Sequence, residues 1–325
     1  MQFEDRELLI HVGLPKTGTT TLQESLFPGH PEIEFFGKHI KNNITKGCLT
    51  QEHYRFFKAL LWDFSKEQNV TDLKKTLHQD LLKDVDPSKK LVCSWESLGN
   101  AGSKRHEKRL KRIKAVFGSC RLIIALRNPL TQIPSEYLQN IEGNFIKRKR
   151  KWMGNASYLG LEEWFSRKVD RQKSEEGSLE SVFAYAKNIQ TAVELLGREN
   201  VGVFLFEDLI KDPDLYYQRI CEFIRVDPAE GVRLTKSVHK NKRTSQGQLK
   251  YMQKIGKSYW RNLFMMMGGE KYRRQMYRRN IGDGTPAKVS LPPSLDKNIR
   301  NATRSGNRWI ADEFNLPLEE LGYPV

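Results

Sequence analysis

Residues 8–22 of the chain read Leu-Leu-Ile-His-Val-Gly-Leu-Pro-Lys-Thr-Gly-Thr-Thr-Thr-Leu. The apolar run 8–12 predicts a short buried strand that ends at Gly13. Pro15 and Gly18 predict a loop, and the threonines after them can cap and open a helix. The backbone N–H groups of such a loop converge with the positive end of the helix dipole. The stretch therefore predicts a binding site for a phosphate or sulfate group.

The side chains of this loop differ from those of a nucleotide-triphosphate P-loop. That motif needs a lysine directly after its second glycine, followed by a Ser or Thr that holds magnesium. Here Thr19 follows Gly18, and Lys16 lies two residues before the glycine. The strand-like runs 91–94 and 122–126 do not end in an Asp that would hold magnesium. The loop therefore indicates an anionic nucleotide bound without a metal, with Lys16 as a charge beside the anion.

A second strand-to-helix junction lies further along the chain. Residues 121–137 read Arg-Leu-Ile-Ile-Ala-Leu-Arg-Asn-Pro-Leu-Thr-Gln-Ile-Pro-Ser-Glu-Tyr. Arg127 leaves the end of the strand, and Ser135 follows eight residues later on the next helix. A guanidinium binds a phosphate through two parallel hydrogen bonds, and a hydroxyl can complete the cradle. This junction predicts a second anion pocket.

These two stretches resemble the nucleotide motifs of the sulfotransferases that use 3′-phosphoadenosine 5′-phosphosulfate (PAPS). Pro-Lys-Thr-Gly-Thr-Thr-Thr is similar to their 5′-phosphosulfate loop, and residues 121–137 are similar to their 3′-phosphate motif. Residues 200–224, 305–314 and 321–324 resemble the bacterial, carbohydrate-type branch of the family. The resemblance implies the α/β sulfotransferase fold, a P-loop-like parallel β-sheet of about five strands with helices on both faces.

The resemblance also implies roles for individual residues. Lys16 would stabilise charge on the bridging oxygen of the leaving group. The residues expected to bind the PAPS donor are Lys16, Thr17, Gly18, Thr19, Thr20, Arg127 and Ser135. Thr21 is expected either to pack within the helix or to contact the donor, and the sequence favours neither alternative.

Glu96 is the residue expected to take the proton of the acceptor hydroxyl. It follows the strand-like run 90–94, where glycan-type relatives place a glutamate and the cytosolic animal enzymes place a histidine. Burial in a crevice would raise the pKa of this carboxyl towards neutrality. A helix-capping or salt-bridging glutamate is the alternative. His39 is the second candidate, with an ordinary surface histidine as its alternative, whereas His11 is expected to be a packed core residue.

The net charge of +16 comes mainly from four clusters of basic residues, at 104–114, 147–151, 236–243 and 271–279. In 104–114 the arginines Arg105, Arg109 and Arg112 recur at helical spacing opposite apolar residues, which predicts a solvated helix face. The run 147–151 either contacts an acidic acceptor or is solvated, and both readings stay open. In 236–243, Lys240 and Arg243 are expected to close over the nucleotide, although this segment departs from the Arg-Lys-Gly pattern of the cytosolic enzymes.

The order of the predicted elements indicates a single sulfotransferase domain over residues 1–325, with variable acceptor-binding insertions near 138–178 and 238–288. The predicted strands are 8–12, 33–36, 90–94, 122–126 and 201–206. The predicted helices are 20–27, 52–64, 72–83, 104–117, 134–141, 161–169 and 179–196. Such alternation is typical of a parallel sheet whose ligand binds at the carboxyl ends of its strands.

No apolar run approaches the roughly 18–20 residues of a membrane span. The N-terminal residues do not resemble a secretory signal or the anchor of Golgi sulfotransferases, which favours a cytoplasmic enzyme of bacterial type. Cys48, Cys93, Cys120 and Cys221 are scattered, so neither a disulfide framework nor a metal site is expected. Cys93 and Cys120 are expected to be buried small apolar residues.

The preferred function is transfer of a sulfuryl group from PAPS to a hydroxyl acceptor, with a carbohydrate (a glycan or glycolipid) as the expected partner. The positive charge would suit an acidic acceptor. Trp152, Tyr158 and Trp164 are candidates for stacking on the sugar. Trp152 and Trp164 are equally well explained as core residues of an inserted helix, and this is the expectation for Trp164. No metal, nucleic-acid partner or transmembrane segment is expected.

Two other functions remain open. One is a P-loop kinase of a small metabolite, against which the displaced lysine speaks. The other is a non-catalytic module that binds polyanions or nucleic acid, although no nucleic-acid fold motif accompanies the charge. Only the sulfotransferase interpretation accounts for Lys16, Arg127 and Ser135 together.

Overall fold

The computed structural model describes residues 5–38, 50–61, 70–94, 103–147, 158–176, 182–236 and 243–325. They form two compact units. The first draws on Met1–Arg127, Ala184–Val238 and Trp309–Leu316, and the second on Asn128–Phe183, His239–Arg308 and Pro317–Val325.

A five-stranded sheet forms the centre of the first unit. Its strands are β1 (Arg6–Gly13), β2 (Ile33–Lys38), β3 (Lys90–Ser94), β4 (Gly118–Leu126) and β5 (Val201–Leu205). Their order is β2-β3-β1-β4-β5, and each neighbouring pair is parallel. The predicted parallel α/β sheet and its strands are confirmed.

The helices are, in chain order, α1 (Thr19–Thr21, continued through Leu22–Leu26 and Phe27–Gly29), α2 (Gln51–Leu61), α3 (Val70–Thr76, continued through Leu77–Leu81), α4 (Ser103–Phe117), α5 (Pro129–Lys147), α6 (Leu161–Glu176), α7 (Tyr185–Leu196), α8 (Phe206–Lys211), α9 (Pro213–Ile224), α10 (Pro228–Thr235), α11 (Gln246–Gly256), α12 (Tyr259–Met267), α13 (Glu270–Arg279) and α14 (Pro293–Phe314). Among the described residues, no helix is both long and apolar enough to cross a bilayer.

One helix is longer at both ends than the sequence predicts. The prediction was residues 134–141, whereas α5 covers Pro129–Lys147. The side chain of Asn128 accepts a hydrogen bond of 3.0 Å from the N–H of Leu130, which caps the helix one residue before Pro129. Pro134 therefore lies inside the helix and does not begin it.

Apolar side chains from the sheet and from α1 and α9 form a core in the first unit. Its buried members are Leu9, Leu22, Leu26, Phe27, Ile33, Phe35, Val92, Ile123, Tyr216, Tyr217, Ile220, Cys221, Ile224 and Val226. Helices α4 and α7 pack against β4. Alternate residues of a strand face opposite sides of a sheet, so β1 and β4 are buried on both faces, as expected for a parallel sheet covered with helices.

Helix α4 departs from its predicted pattern at one position. Its apolar residues Leu110, Ile113, Val116 and Phe117 are buried as expected. Arg109, expected on the solvated face, is also buried, and its Nε donates a hydrogen bond of 2.9 Å to the carbonyl of Leu61. A backbone acceptor at the end of α2 thus pairs with one donor of this guanidinium, and helical periodicity alone does not reveal such an acceptor.

Three of the four cysteines lie in the described part of the chain, and each is a thiol. Cys93, Cys120 and Cys221 are all buried, which confirms the expectation for the first two, while Cys48 lies outside the described residues. Burial raises the pKa of the Cys221 thiol to about 12, with nearby carboxylates adding to the shift. This thiol is therefore protonated at neutral pH.

Aromatic residues organise the second unit. Trp164 is fully buried and meets the ring of Tyr137 edge to face at 5.6 Å, which confirms it as a core residue. The Tyr137 hydroxyl donates to the carbonyl of Leu159 at 2.7 Å and lies 2.9 Å from the hydroxyl of Tyr158. Gln253 also donates to Tyr158 at 3.2 Å. Tyr158 thus has a structural role, and Trp152 lies outside the described residues.

The C-terminal tail is held by two buried asparagines of the second unit. The side-chain amide of Asn128 donates to the carbonyl of Leu321 at 3.2 Å, and that of Asn307 donates to the carbonyl of Pro324 at 2.7 Å. Gly322 between them has a φ of 73°, a left-handed conformation that glycine adopts without strain.

Candidate active site

The loop after β1 has a tight backbone. Lys16 and Gly18 both have left-handed conformations, with φ of 68° and 79°. A side chain at Gly18 would collide with Leu209 of α8, and one at Gly13 would overlap the side chain of Thr19. At Gly18 the left-handed φ is the stronger reason for glycine, because the Leu209 atom in contact is the end of a flexible side chain. At Gly13 the reason is the overlap with the Thr19 side chain. Lys16 adopts a conformation that costs a non-glycine residue about 1–3 kcal/mol, and such strain clusters at functional sites.

The threonines of this loop have different environments. Thr17 is buried, and its hydroxyl donates a hydrogen bond of 2.7 Å to the carbonyl of Leu14. This bond closes the loop on itself. Thr19 is buried and Thr20 is half-buried at the start of α1. The hydroxyl of Thr21 hydrogen-bonds the Tyr217 side chain, so this threonine packs within the unit.

The start of α1 is suited to an anion. Its N-cap is Gly18, which has no side chain that could accept hydrogen bonds from the N–H groups of the first turn. The N–H groups of a first helical turn have no intrahelical acceptor, and the helix dipole adds partial positive charge there. Together with Lys16, the loop can neutralise a phosphate or sulfate.

Arg127 lies at this same loop. Its Nη1 donates a hydrogen bond of 3.1 Å to the carbonyl of Lys16. The guanidinium carbon also lies 4.5 Å from the centre of the Phe206 ring. Such stacking orients the plane of a guanidinium and contributes about 0.5–2 kcal/mol. Three strand ends therefore meet, because Lys16 follows β1, Arg127 follows β4 and Phe206 follows β5.

The strand order explains this meeting. From β1 the chain continues to β2 and β3 on one side of the sheet, and then to β4 and β5 on the other. In parallel sheets of this kind, ligands bind at the carboxyl ends of the two neighbouring strands between which the strand order reverses. These strands are β1 and β4, and Gly13 at the end of β1 pairs with Ala125 of β4.

A buried polar group supports the end of β3. The Nδ1 of His11 lies 2.9 Å from the hydroxyl of Ser94, and the side-chain amide of Gln23 donates to the same hydroxyl at 2.8 Å. All three residues are buried, and the ring of Phe27 meets His11 edge to face at 5.5 Å. His11 is thus a core residue, as predicted, and the group ties β1, α1 and β3 together.

Lys16, Thr17, Gly18, Thr19, Thr20 and Arg127 are the predicted site residues that the structure brings together. Ser135 is half-buried on α5, and Arg243 is exposed just before α11; both belong to the second unit. Glu96, His39 and Lys240 lie outside the described residues, so their roles remain predictions.

Phe206 and Leu209 are site residues that the sequence analysis missed. Phe206 supports Arg127, and Leu209 lies against Gly18. The available signal was their position at the end of the last predicted strand, 201–206, and just after it, because the carboxyl ends of parallel strands meet at one edge of the sheet. In the described part of the chain, no group of three or more His, Cys, Asp or Glu is placed to hold a metal ion.

The sequence matches the model of the sulfotransferase family over residues 9–230. The chain belongs to this family. It is accordingly an enzyme of the PAPS-dependent sulfotransferase class. The matched range contains β2 to β5, all but the first three residues of β1, and the two strand-to-helix junctions after β1 and β4, so the candidate site lies within the part that defines the family.

Solved sulfotransferases show distant similarity. The enzyme of Alicyclobacillus acidocaldarius is 16% identical over 83% of this sulfotransferase and 100% of its own chain, with a TM-score of 0.46. The sulfotransferase domain of the curacin biosynthetic pathway is 12% identical, covering 74% and 80% of the two chains, with a TM-score of 0.44. A mouse sulfotransferase in complex with PAP is 14% identical, covering 74% and 69%, with a TM-score of 0.39. A comparison with curated protein sequences found no match.

Proposed function

We propose that this sulfotransferase transfers the sulfuryl group of PAPS to a hydroxyl group of a carbohydrate, a glycan or glycolipid. The observation that carries the proposal is the hydrogen bond between Arg127 and the carbonyl of Lys16, which joins the two anion motifs at one edge of the sheet. PAPS carries a 5′-phosphosulfate and a separate 3′-phosphate. An enzyme that binds it therefore needs two anion-binding motifs that lie within the length of one nucleotide.

The loop and the start of α1 bind the 5′-phosphosulfate in this proposal. The backbone of Thr17, Gly18, Thr19 and Thr20 supplies N–H donors, while the left-handed turn at Lys16 and Gly18 directs the chain around the anion. The Thr17 hydroxyl closes the loop and so preorganises it. Arg127 binds the 3′-phosphate, with Phe206 holding its guanidinium plane, and Ser135 adds a hydroxyl donor.

The reaction forms a bond between sulfur and the acceptor oxygen and breaks the bond between sulfur and the bridging oxygen of the donor. Positioning and charge stabilisation supply most of the catalysis in such transfers. Lys16 stabilises the negative charge that develops on the bridging oxygen. Glu96 takes the proton of the acceptor hydroxyl, and adenosine 3′,5′-bisphosphate leaves.

The acceptor and the role of Glu96 are parts of the proposal that rest on sequence alone. The resemblance to the carbohydrate-type branch supports a sugar, and the net charge of +16 supports an acidic one. Lys240 and Arg243 close over the nucleotide in this proposal. The proposed single domain and the cytoplasmic location likewise rest on the sequence.

Two measurements test the function. Calorimetry should detect binding of adenosine 3′,5′-bisphosphate to the wild-type enzyme and to a Lys58→Met control, since Lys58 is exposed on α2. Labelled PAPS offered with a panel of glycans, glycolipids and phenols should label a carbohydrate. Transfer to phenols alone would reject the acceptor class. Magnesium-dependent ATP binding without PAPS turnover would favour the kinase, and salt-sensitive DNA binding without nucleotide affinity would favour the polyanion module.

A further inference from the structure

Helix α12 (Tyr259–Met267) exposes its apolar face. Trp260, Leu263, Phe264 and Met267 recur at intervals of three and four residues, so they form one stripe along the helix. Trp260 is 75% exposed, Phe264 is 65% exposed and Met267 is 80% exposed. A stripe of this kind normally packs into a core, so a contiguous exposed one indicates an interaction surface.

A cavity of about 1160 Å³ adjoins this stripe within the second unit. Its apolar lining includes Trp260, Leu263 and Phe264 from α12. Tyr259, at the start of the same helix, is 74% exposed. Apolar side chains thus project beside a hollow that can receive more apolar groups.

Positive charge surrounds the stripe. Lys250 and Lys254 of α11, Arg261 of α12 and Arg279 of α13 all line the same cavity and are exposed. Between Gln246 and Asp283 the sequence holds nine Lys or Arg residues, of which Arg273 is buried, and two acidic residues, Glu270 and Asp283. The surface therefore combines aromatic and aliphatic groups with a predominantly basic rim.

We propose that α12 and its basic rim form a docking surface for a bilayer that contains anionic phospholipid. Aromatic side chains such as Trp260 and Tyr259 are favoured at the boundary between headgroups and acyl chains. The flanking Lys and Arg side chains attract anionic headgroups, and each one near the surface strengthens binding about fivefold. A fluid bilayer accepts projecting side chains without a preformed groove. The proposal does not depend on the identity of the sulfate acceptor.

Charge complementarity favours a membrane over a second copy of this chain. An isologous contact through α12 would bring the basic rim of one copy against that of the other. Like charges placed together across an interface oppose association. An anionic bilayer supplies the opposite charge and the apolar layer at the same time.

Cosedimentation with vesicles tests the proposal. The vesicles are phosphatidylcholine with about one third phosphatidylglycerol, and phosphatidylcholine alone serves as the comparison. The apolar variant carries Trp260→Ser, Phe264→Ser and Met267→Ser. Its matched control carries Ile210→Ser and Leu215→Ser, because these are exposed apolar residues of the first unit.

A second pair of variants tests whether binding depends on where the basic residues lie or only on the net charge of the protein. Lys250→Glu, Lys254→Glu and Arg261→Glu reverse the rim, whereas Lys58→Glu, Lys108→Glu and Lys211→Glu make the same change in net charge at exposed sites of the first unit. Circular dichroism and thermal melting confirm that each variant is folded. All substituted residues are exposed, so the fold should tolerate the changes.

The expected result is at least about tenfold stronger binding of the wild-type enzyme to the anionic vesicles, weakened as salt is raised. The rim reversal and the apolar variant should each lose about tenfold or more, while both controls stay within about threefold. Failure of the wild-type enzyme to bind anionic vesicles at low salt would overturn the proposal. Equal loss in the two charge variants, or full binding by the apolar variant, would do the same. A wild-type dimer that the apolar variant dissociates, without vesicle binding, would assign the face to a second copy.

Discussion

The guanidinium of Arg127 donates a hydrogen bond of 3.1 Å to the backbone carbonyl of Lys16, across 111 positions of the chain. Lys16 follows β1 and Arg127 follows β4. The strands added after β1 lie on one side of it up to β3 and on the other side from β4 onwards, so the strand order reverses between β1 and β4. This bond connects the loop proposed for the phosphosulfate with the side chain proposed for the 3′-phosphate. We expect the two to act together as one donor site.

Replacement of Lys16 by methionine should lower kcat by about a hundredfold or more, because the charge on the leaving group loses its partner. Methionine keeps most of the length of the side chain, so loop packing should change little. Steady-state turnover with PAPS measures the effect, and Lys58→Met should behave as the wild type. A Lys16→Met enzyme with nearly normal kcat would remove this lysine from the chemistry.

Arg127→Lys should weaken binding of adenosine 3′,5′-bisphosphate by about tenfold or more, although the charge is kept. An ammonium cannot form the two-pronged contact and stacks less well on an aromatic ring. Phe206→Leu should weaken binding by a smaller factor, about two- to tenfold, since it removes only the stacking at 4.5 Å. Calorimetry measures both. If Arg127→Lys bound the nucleotide as well as the wild type, the 3′-phosphate assignment would be wrong.

Gly18→Ala should destabilise the enzyme and disrupt donor binding. The left-handed φ of 79° costs an alanine about 1–2 kcal/mol, and its Cβ would also collide with Leu209. Thermal melting and nucleotide titration report the two effects. The matched control is Gly143→Ala in α5, where a Cβ meets no atom within 4 Å and alanine favours the helix. Equal behaviour of the two variants would contradict the loop geometry.

Glu96→Gln should lower turnover by about a hundredfold while nucleotide binding stays intact, which is the usual scale for loss of a general base. The pH dependence of kcat/KM should also lose its acidic limb, because the titrating carboxyl is gone. His39→Gln is the comparison, since His39 is the other candidate. A large loss in His39→Gln with none in Glu96→Gln would exchange the two assignments.

The Cys221 thiol should resist iodoacetamide at pH 9 in the folded enzyme and react once the chain is unfolded in urea. Burial raises its pKa from 9.0 to about 12, so the folded state keeps a proton that the unfolded state releases above pH 9. The stabilisation from this group is complete below pH 9 and is lost as the pH rises towards 12. Mass spectrometry of the labelled peptide measures the reaction. Rapid native labelling at pH 9 would show that the thiol is accessible.

Local patterns in the chain were sufficient to predict the five strands of the first unit and the helices up to α7, whereas α8 and α10 were not predicted. Apolar runs of five or so residues ended at Gly13 and at Arg127, and each was followed by a helix start. The extent of α5 was underestimated because its start depends on a single capping contact at Asn128. The contact that buries Arg109 was missed because its acceptor lies on another helix. No element was predicted over α11 to α13, where the resemblance is weakest.

The amino-acid sequence alone determines the strands, the strand-to-helix junctions and the chemical character of Lys16 and Arg127. Each of these features depends on residues that are only a few positions apart in the chain. Folding in three dimensions added the order β2-β3-β1-β4-β5, the placement of Arg127 over Phe206 and the outward-facing stripe of α12. A periodic apolar stripe has the same sequence pattern whether the folded protein buries it or exposes it. Which outcome holds depends on non-local packing, in which distant segments compete for the same surface, and a local pattern carries no record of that competition.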